Sequence, residues 1–183
     1  ILEAVRRVAG VIRADHAGEI RRLLEVIRSV TLIVAGSQPK ALVEALHAVT
    51  DVTQVEHRPE TRMITARSPQ GLPVTVRLAG PAEYGWALLS ATGSAEHVQE
   101  LERRLAARGA LLGGGSEEAI YAAAGLPVIP PELREGHGEI EQAGSGRLPV
   151  LIEARQIQGI FHNHTVWSDG AATLEQMVEA ARA

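Results

Sequence analysis

The first eighty residues alternate between short apolar runs and amphipathic stretches, which predicts a mixed α/β sheet. Apolar residues recur at helical spacing over residues 1–10 and again after Pro39, and the run Thr31–Ala35 is typical of a buried strand. At Leu72–Ala79 apolar and polar residues alternate, as in a strand with one buried face. The other predicted strands cover residues 11–17, 52–57 and 61–67. We therefore expect a sheet with helices packed on one face.

Residues 81–150 carry mainly helical patterns and predict a small helical domain. Ser94 is placed to cap a helix over residues 95–108, in which Glu100 and Arg104 have the spacing of an ion pair. The remaining predictions here are a short helix from Ser116 to Gly125 and a polar, glycine-rich loop over residues 136–146. Tyr84, Trp86 and Tyr121 are expected in the core.

The last section, residues 151–183, predicts a linker, a short strand and a closing helix. The strand is predicted at residues 159–164, and Thr173 with Gln176 forms a capping box before the helix. The patterns thus divide the chain into residues 1–80, 81–150 and 151–183.

Composition narrows the functional classes. The chain has 183 residues, 45% of them hydrophobic and 3% aromatic, with a formal net charge of −4 and no cysteine. A disulfide scaffold and a cysteine metal site are excluded. No apolar run approaches the roughly 20 residues of a membrane span, so we expect a cytoplasmic protein without membrane contact. The acidic balance argues against a polybasic nucleic-acid coat but leaves room for a local basic face.

The sharpest chemical pattern is a pair of histidines, His162 and His164, followed by Asp169. On a strand, residues two apart face the same way, so both imidazoles are able to reach one cation. Asp169 follows on a loop that would supply an oxygen ligand. The alternative is that both histidines are solvated and idle.

The stretch Phe161-His-Asn-His-Thr-Val-Trp-Ser-Asp-Gly170 resembles the opening motif of the PHP family of metal-dependent phosphoesterases. The resemblance implies that His162, His164 and Asp169 are part of a metal site that holds zinc or manganese in a complete domain. The family's acidic residue before the first histidine is Phe161 here. Its later ligands do not occur before Ala183, so we expect this segment alone to be inactive and the PHP domain to be truncated.

Three upstream stretches resemble the palm and thumb of bacterial family X DNA polymerases, which carry a PHP domain after the thumb. They are Ala17–Arg22, Thr92–His97 and the stretch from Ser116 to Glu141 that contains Pro-Pro-Glu-Leu-Arg. The resemblance implies a nucleotidyltransferase-like palm at 1–80, a thumb at 81–150, and a part in DNA repair. It also places the family's helix-hairpin-helix region before Ile1.

The same resemblance implies that the palm has lost its catalytic carboxylates. Three aspartates in this family hold two Mg²⁺ ions for nucleotidyl transfer. Their positions fall on Ser29, Thr31 and Thr75 in this chain. Mg²⁺ relies on carboxylates and substrate phosphates, so we expect no cofactor in the palm and no polymerase activity. Mg²⁺ would be required only if the palm were active.

The resemblance also implies contacts to nucleotide or DNA, and we expect weak binding to gapped or nicked duplex. The residues concerned are Gly18, Arg21, Arg22, Gly93, Ser94, His97, Arg103 and Arg104. The alternative for the arginines is a solvated helix face paired with glutamates.

The functional expectation is a structural or DNA-positioning palm, in a parent protein that acts as a PHP phosphoesterase or 3′–5′ exonuclease. Two alternatives stay open: an active nucleotidyltransferase with an atypical metal site, and a protein-interaction module. The sequence leaves the oligomeric state open.

Overall fold

The structure is a computed structural model that describes residues 1–50, 52–110, 113–159 and 162–182. These residues form a five-stranded sheet and eight α-helices, grouped into two compact units, residues 1–148 and 149–183. The strands are β1 (Val11–Ala17), β2 (Val30–Gly36), β3 (Thr53–Arg58), β4 (Met63–Arg67) and β5 (Pro73–Ala79). The helices are α1 (Leu2–Arg6), α2 (Gly18–Arg21), α3 (Pro39–His47), α4 (Tyr84–Thr92), α5 (Ala95–Ala107), α6 (Glu117–Ala123), α7 (Glu139–Gly144) and α8 (Leu174–Arg182). The predicted mixed α/β class is confirmed.

The sheet has the strand order β1-β2-β5-β4-β3. β2 and β5 pair in parallel, and the other neighbours pair antiparallel. The parallel pair is made through a long connection that contains α3, β3 and β4, because parallel neighbours cannot be joined by a tight turn. This crossover brings two strands that are distant in sequence together at the centre of the sheet.

The first face of the sheet packs against α1 and α3, as predicted. Leu32, Val34 and Val76 from the central strands bury their side chains with Leu42 and Leu46 of α3. Their period-two spacing on the strands places the alternate residues on the opposite face.

Among the described residues, α4 covers the second face over β1, β2 and the end of β5, where Ala79 packs against the same cluster. There α4 packs its alanine and leucine side chains on Ile33 and Ala35. The hydroxyl of Tyr84 on α4 donates to an Asp15 carboxylate oxygen (2.9 Å) and lies 3.2 Å from the Ile33 carbonyl. α4 thus joins the helical segment to one half of the sheet.

Two boundary predictions in this unit are wrong. α1 ends at Arg6 rather than residue 10, because turns from Val8 to Val5 and from Val11 to Val8 lead directly into β1. β4 begins at Met63, because a 3₁₀ turn over Pro59–Thr61 precedes it.

The predicted loop over residues 136–146 is also wrong, since α7 occupies its centre. Ile140 and Ala143 bury their side chains in the helical core, and Glu139 is anchored by a histidine of α5. These tertiary contacts outweigh the low helix propensity of the surrounding glycines. Tyr84 and Tyr121 are buried, as expected, and Trp86 is partly buried.

The second unit contains α8 and its cap. The Thr173 amide donates to Gln176 Oε1 (2.8 Å) and the Gln176 amide donates to Thr173 Oγ1 (3.2 Å), which confirms the capping box. The strand predicted at residues 159–164 is wrong for the described residues, which have no ladder partner there. Phe161 lies outside the described residues. No helix in the described part of the chain has the length and apolar character needed to cross a membrane.

Candidate functional site

A row of three threonines crosses the second face of the sheet, and we call it the hydroxyl row. Thr31 of β2 lies directly opposite Thr75 of β5, and Thr75 lies opposite Thr65 of β4. Because Leu32 and Val76 point into the core on the first face, the threonines share the second face. The structure thus brings together two of the three positions at which the resemblance expects carboxylates.

The third such position, Ser29, lies just before β2. Its amide donates to Glu19 Oε2 (3.2 Å), and the Arg28 amide donates to the same oxygen (2.6 Å). Glu19 begins the turn of α2, where Gly18 has a left-handed φ of +64° and lies close to the Thr31 hydroxyl. The carboxylate beside Ser29 is therefore engaged with backbone amides.

The hydroxyl row lacks the charge that a pair of Mg²⁺ ions requires. Neutral hydroxyls are weak ligands for a hard divalent cation. Throughout the described ranges, no group of three or more His, Asp or Glu side chains is arranged to hold a metal ion. The two strands thus place facing hydroxyls, rather than facing carboxylates, at Thr31 and Thr75.

Arg21 and Arg22, for which the resemblance implies contacts to nucleotide or DNA, join the sheet to the helical segment in this structure. Arg21 donates to both carboxylate oxygens of Glu117 (2.8 and 2.6 Å) and to the Thr92 hydroxyl (3.0 Å). Arg22 donates to Glu135 (2.7 Å) and to the Thr92 carbonyl (2.5 Å). Both guanidinium groups already hold anionic or carbonyl acceptors.

Glu117 is shared with a second, fully buried arginine. Arg134 donates to Glu117 Oε1 (2.5 Å) and to the Ile129 carbonyl (2.9 Å). Burial alone would raise the pKa of Glu117, but the guanidinium groups of Arg21 and Arg134 hold that pKa below its usual value. We call Arg21, Arg22, Glu117, Arg134 and Glu135 the junction network.

His97 was predicted as a DNA or nucleotide contact, but the structure places it in the interior. Its ring is 0% exposed, with Nδ1 2.6 Å from Glu139 Oε1 and Nε2 2.9 Å from the Tyr121 hydroxyl. Burial lowers the pKa of His97, although the Glu139 carboxylate opposes that shift. A neutral ring fits both contacts, with Nδ1–H donating to Glu139 and Nε2 accepting from Tyr121.

Gly93 and Ser94 hold this histidine in place. The Ser94 hydroxyl accepts from the His97 amide (3.1 Å), as predicted for the cap of α5, and the Ser94 amide donates to the Arg134 carbonyl (2.9 Å). A Cβ on Gly93 would lie 2.8 Å from the His97 ring, so a larger residue would displace it. The Thr-Gly-Ser stretch therefore links the junction network to the His97 cluster, by which we mean His97, Tyr121 and Glu139.

Arg103 and Arg104 share a cleft of about 470 Å³ between α5 and α7. Glu100 pairs with Arg103 and not with Arg104. Arg104 donates to the Ala124 carbonyl (2.9 Å). The predicted Glu100–Arg104 pair is therefore wrong, because Arg104 turns toward the end of α6. Glutamates at positions 96, 100, 139 and 141 also line this cleft, so the two arginines do not form a basic surface.

In the second unit the structure brings His162, His164 and Asp169 together. The two Nε2 atoms lie 3.1 Å apart, near enough to ligate one cation. Asp169 contacts Nδ1 of His164, the other ring nitrogen, and that contact lowers the pKa of Asp169. The donors fit a cation held by two imidazoles, with Asp169 orienting a ring rather than acting as a third ligand.

Sequence reasoning missed Glu117, Arg134 and Glu139. Their partners lie 17 to 96 residues away, beyond the reach of local patterns. The one local signal for a buried ion pair was the position of Arg134, which closely follows the apolar stretch that ends at Ile129.

Comparison with known proteins gives one distant relative. No protein-family model matches the chain. The chain is 29% identical, over an alignment of 195 residues, to the protein named DNA polymerase/3′-5′ exonuclease PolX of Bacillus subtilis (strain 168). The alignment covers 98% of this chain and 34% of the relative, so the chain spans about a third of that protein's length. The similarity extends through both compact units.

Proposed function

We propose that the chain is the palm-and-thumb portion of a family X DNA polymerase-like protein whose palm positions DNA without nucleotidyl transfer. The similarity to PolX over 98% of the chain supports the family assignment. The order of the palm, thumb and histidine motifs along the chain agrees with it. A part in DNA repair belongs to the same proposal.

The observation that carries the loss of chemistry is the pairing of Thr31 with Thr75 across β2 and β5. Facing side chains on adjacent strands are the arrangement by which two carboxylates would share metal ions. Here the facing groups are neutral hydroxyls, which do not replace those charges. The scaffold therefore supports positioning rather than catalysis.

The junction network supports a structural task for the helical segment. Arg21, Arg22 and their partners Glu117 and Glu135 join α2 to α6 and to the segment before α7 within the first unit. A rigid pair of subdomains suits a protein that holds a duplex in place. In the parent protein we propose that hydrolysis belongs to a PHP domain, with His162 and His164 as ligands of zinc or manganese.

A primer-extension assay on a gapped duplex tests the proposal. With Mg²⁺ or Mn²⁺ and all four deoxynucleotides, we expect no extension by this chain, with PolX as the positive control. A fluorescence anisotropy titration of the same duplex at low ionic strength should show binding that weakens with salt. Template-directed extension would instead establish an active enzyme with an atypical metal site. Absence of salt-dependent binding would favour a protein-interaction module.

A further inference from the structure

The cleft between α5 and α7 has a buried glutamate in its wall with one carboxylate oxygen unpaired. Glu139 is only 4% exposed. Its Oε1 accepts from the Gly136 amide (3.0 Å) and lies 2.6 Å from His97 Nδ1, whereas its Oε2 has no hydrogen-bond partner among the described residues. Buried polar atoms in folded proteins nearly always have a partner. A ligand that donates a hydrogen bond to Oε2 would therefore remove a cost that the chain alone leaves in place.

This carboxylate is ionised, and the cleft around it is acidic. Burial alone would raise the pKa of Glu139, but the hydrogen bond from His97 holds that pKa below its usual value. The lining contains four glutamates and two arginines, a formal charge of −2 with His97 neutral. Glu100 is engaged by Arg103, while Glu96 and Glu141 are exposed. The cleft therefore favours a ligand that carries positive charge.

The size and the walls of the cleft fit an organic ligand rather than a water molecule or a metal ion. Its volume of about 470 Å³ lies within the range of small-molecule pockets, whereas one water occupies roughly 30 Å³. Ile140, Gly136 and Gly138 supply uncharged stretches of wall. Within the described ranges no group of three or more His, Asp or Glu side chains is arranged to hold a metal ion. These features suit a flexible chain of methylene groups with charged ends.

We propose that the cleft between α5 and α7 binds a linear aliphatic amine with two or more ammonium groups. One ammonium donates to Glu139 Oε2, and another pairs with the exposed carboxylate of Glu96 or Glu141. An ammonium group has three donors and no acceptor, so it presents no lone pair to the carboxylates. The methylene groups lie against Ile140 and the neighbouring glycines. The site uses neither the hydroxyl row nor the junction network, and it is independent of the proposed function.

Isothermal titration calorimetry of the 183-residue chain with spermidine, at pH 7.5 and in 50 mM NaCl, tests the proposal. We expect saturable binding of one spermidine per chain. Glu139→Gln should weaken this binding at least about tenfold, because a hydrogen bond between two charged groups is lost. Glutamine has nearly the shape of glutamate and keeps an oxygen to accept from His97 and Gly136. The variant 1,4-butanediol titration, in which hydroxyls replace the ammonium groups of 1,4-diaminobutane, should give no binding where the diamine binds.

Glu44→Gln is the matched control, because Glu44 is exposed on α3 and makes the same change in net charge. It should leave the affinity unchanged within about twofold. Glu96→Gln/Glu141→Gln changes only exposed positions of the cleft, so it tests the site with little risk to the fold. Two exposed ion pairs predict a loss of about two- to tenfold in this variant. Circular dichroism checks the folding of each protein.

Three results would overturn the proposal. Equal weakening by Glu44→Gln and Glu139→Gln would mean that spermidine is attracted to the acidic surface as a whole. Binding of several spermidines without saturation would mean the same. Competition by MgCl₂ as strong as that by 1,4-diaminobutane at equal concentration would identify a site for any dication. A failure of the duplex to bind in the assay of the proposed function would leave this site standing.

Discussion

Two regions of the first unit use polar groups in opposite ways. The hydroxyl row, Thr31, Thr75 and Thr65, is neutral and lies beside an open sheet surface. The junction network is buried or partly buried and pairs arginines with glutamates, and the buried His97 cluster holds a neutral ring against the Glu139 carboxylate. Charge is thus absent where chemistry was expected and concentrated where two structural segments meet.

The difference shows that a guanidinium near a predicted nucleotide site need not serve a nucleotide. Arg21 and Arg22 lie at the end of α2, whose first residue, Gly18, is close to Thr31, yet Glu117 and Glu135 accept their hydrogen bonds. A bidentate carboxylate satisfies a guanidinium much as a phosphate does. Arg21 and Arg22 therefore stabilise the junction between the sheet and the helical segment.

The largest effect should come from breaking the junction network. Glu117→Ala removes the partner of two arginines, one of them, Arg134, fully buried. Leaving a buried charge uncompensated is expected to lower the free energy of unfolding by about 3–5 kcal/mol. Urea unfolding followed by circular dichroism measures this change in the free energy of unfolding. Glu118→Ala, on the exposed side of α6, is the matched control and should change stability by less than about 0.5 kcal/mol. Equal effects of the two substitutions would refute the network's role.

A smaller effect is expected in the His97 cluster. Glu139→Ala removes the acceptor of the buried His97 ring and of the Gly136 amide (3.0 Å). Buried donors left without partners cost about 1–3 kcal/mol. Glu141→Ala, exposed on the same helix, should have little effect in the same urea titration. A loss no greater than that control would show that the cluster does not stabilise α7.

The pH dependence of stability should report the same cluster. Since burial holds the pKa of His97 below its usual 6.5, the unfolded chain takes up a proton that the folded chain resists. Stability therefore falls as the pH drops below about 6.5. The lowered pKa values of Glu117 and Glu139, usually 4.5, add a further loss below about pH 4.5. Urea midpoints at pH 7.5, 6.5 and 5.5 measure the first part. His97→Gln should reduce this pH dependence, and the remainder comes from His16, whose pKa burial also lowers. The exposed His47→Gln should leave it unchanged.

Sequence patterns predicted the sheet because alternation along β2 and β5 reflects which face is buried. Residues such as Val74 and Val76 carry that signal locally. The Ser94 cap and the Thr173 capping box were likewise predictable, since both depend on residues three apart.

The junction was not predictable from such patterns. Arg21 and Glu117 are 96 residues apart. Because local patterns do not show such a distant partner, an arginine in a helix is predicted to be solvent-exposed. α7 was missed for a related reason. Its glycines indicate a loop, whereas burial of Ile140 and the Glu139–His97 contact stabilise a helix. In α7 tertiary contacts outweigh local helix propensity, and in the junction they pair residues that are distant in sequence.

The smallest expected effect sharpens the contrast between the two regions. Thr31→Asp/Thr75→Asp places two carboxylates opposite each other on β2 and β5. Without metal, their repulsion should lower stability by about 0.2–1 kcal/mol. Millimolar Mn²⁺ should reverse that loss and raise Tm, because a cation that binds only the folded state stabilises it.

The two single variants are the controls, since each supplies one carboxylate and should respond weakly to Mn²⁺. Thermal unfolding with and without the ion measures the difference between the pair and the singles. A double variant that responds no more than Thr31→Asp alone would mean that the two positions do not converge on one cation. A larger response would show that the row has kept the geometry of a metal site and lacks only its charge, whereas the junction network depends on its charges for stability.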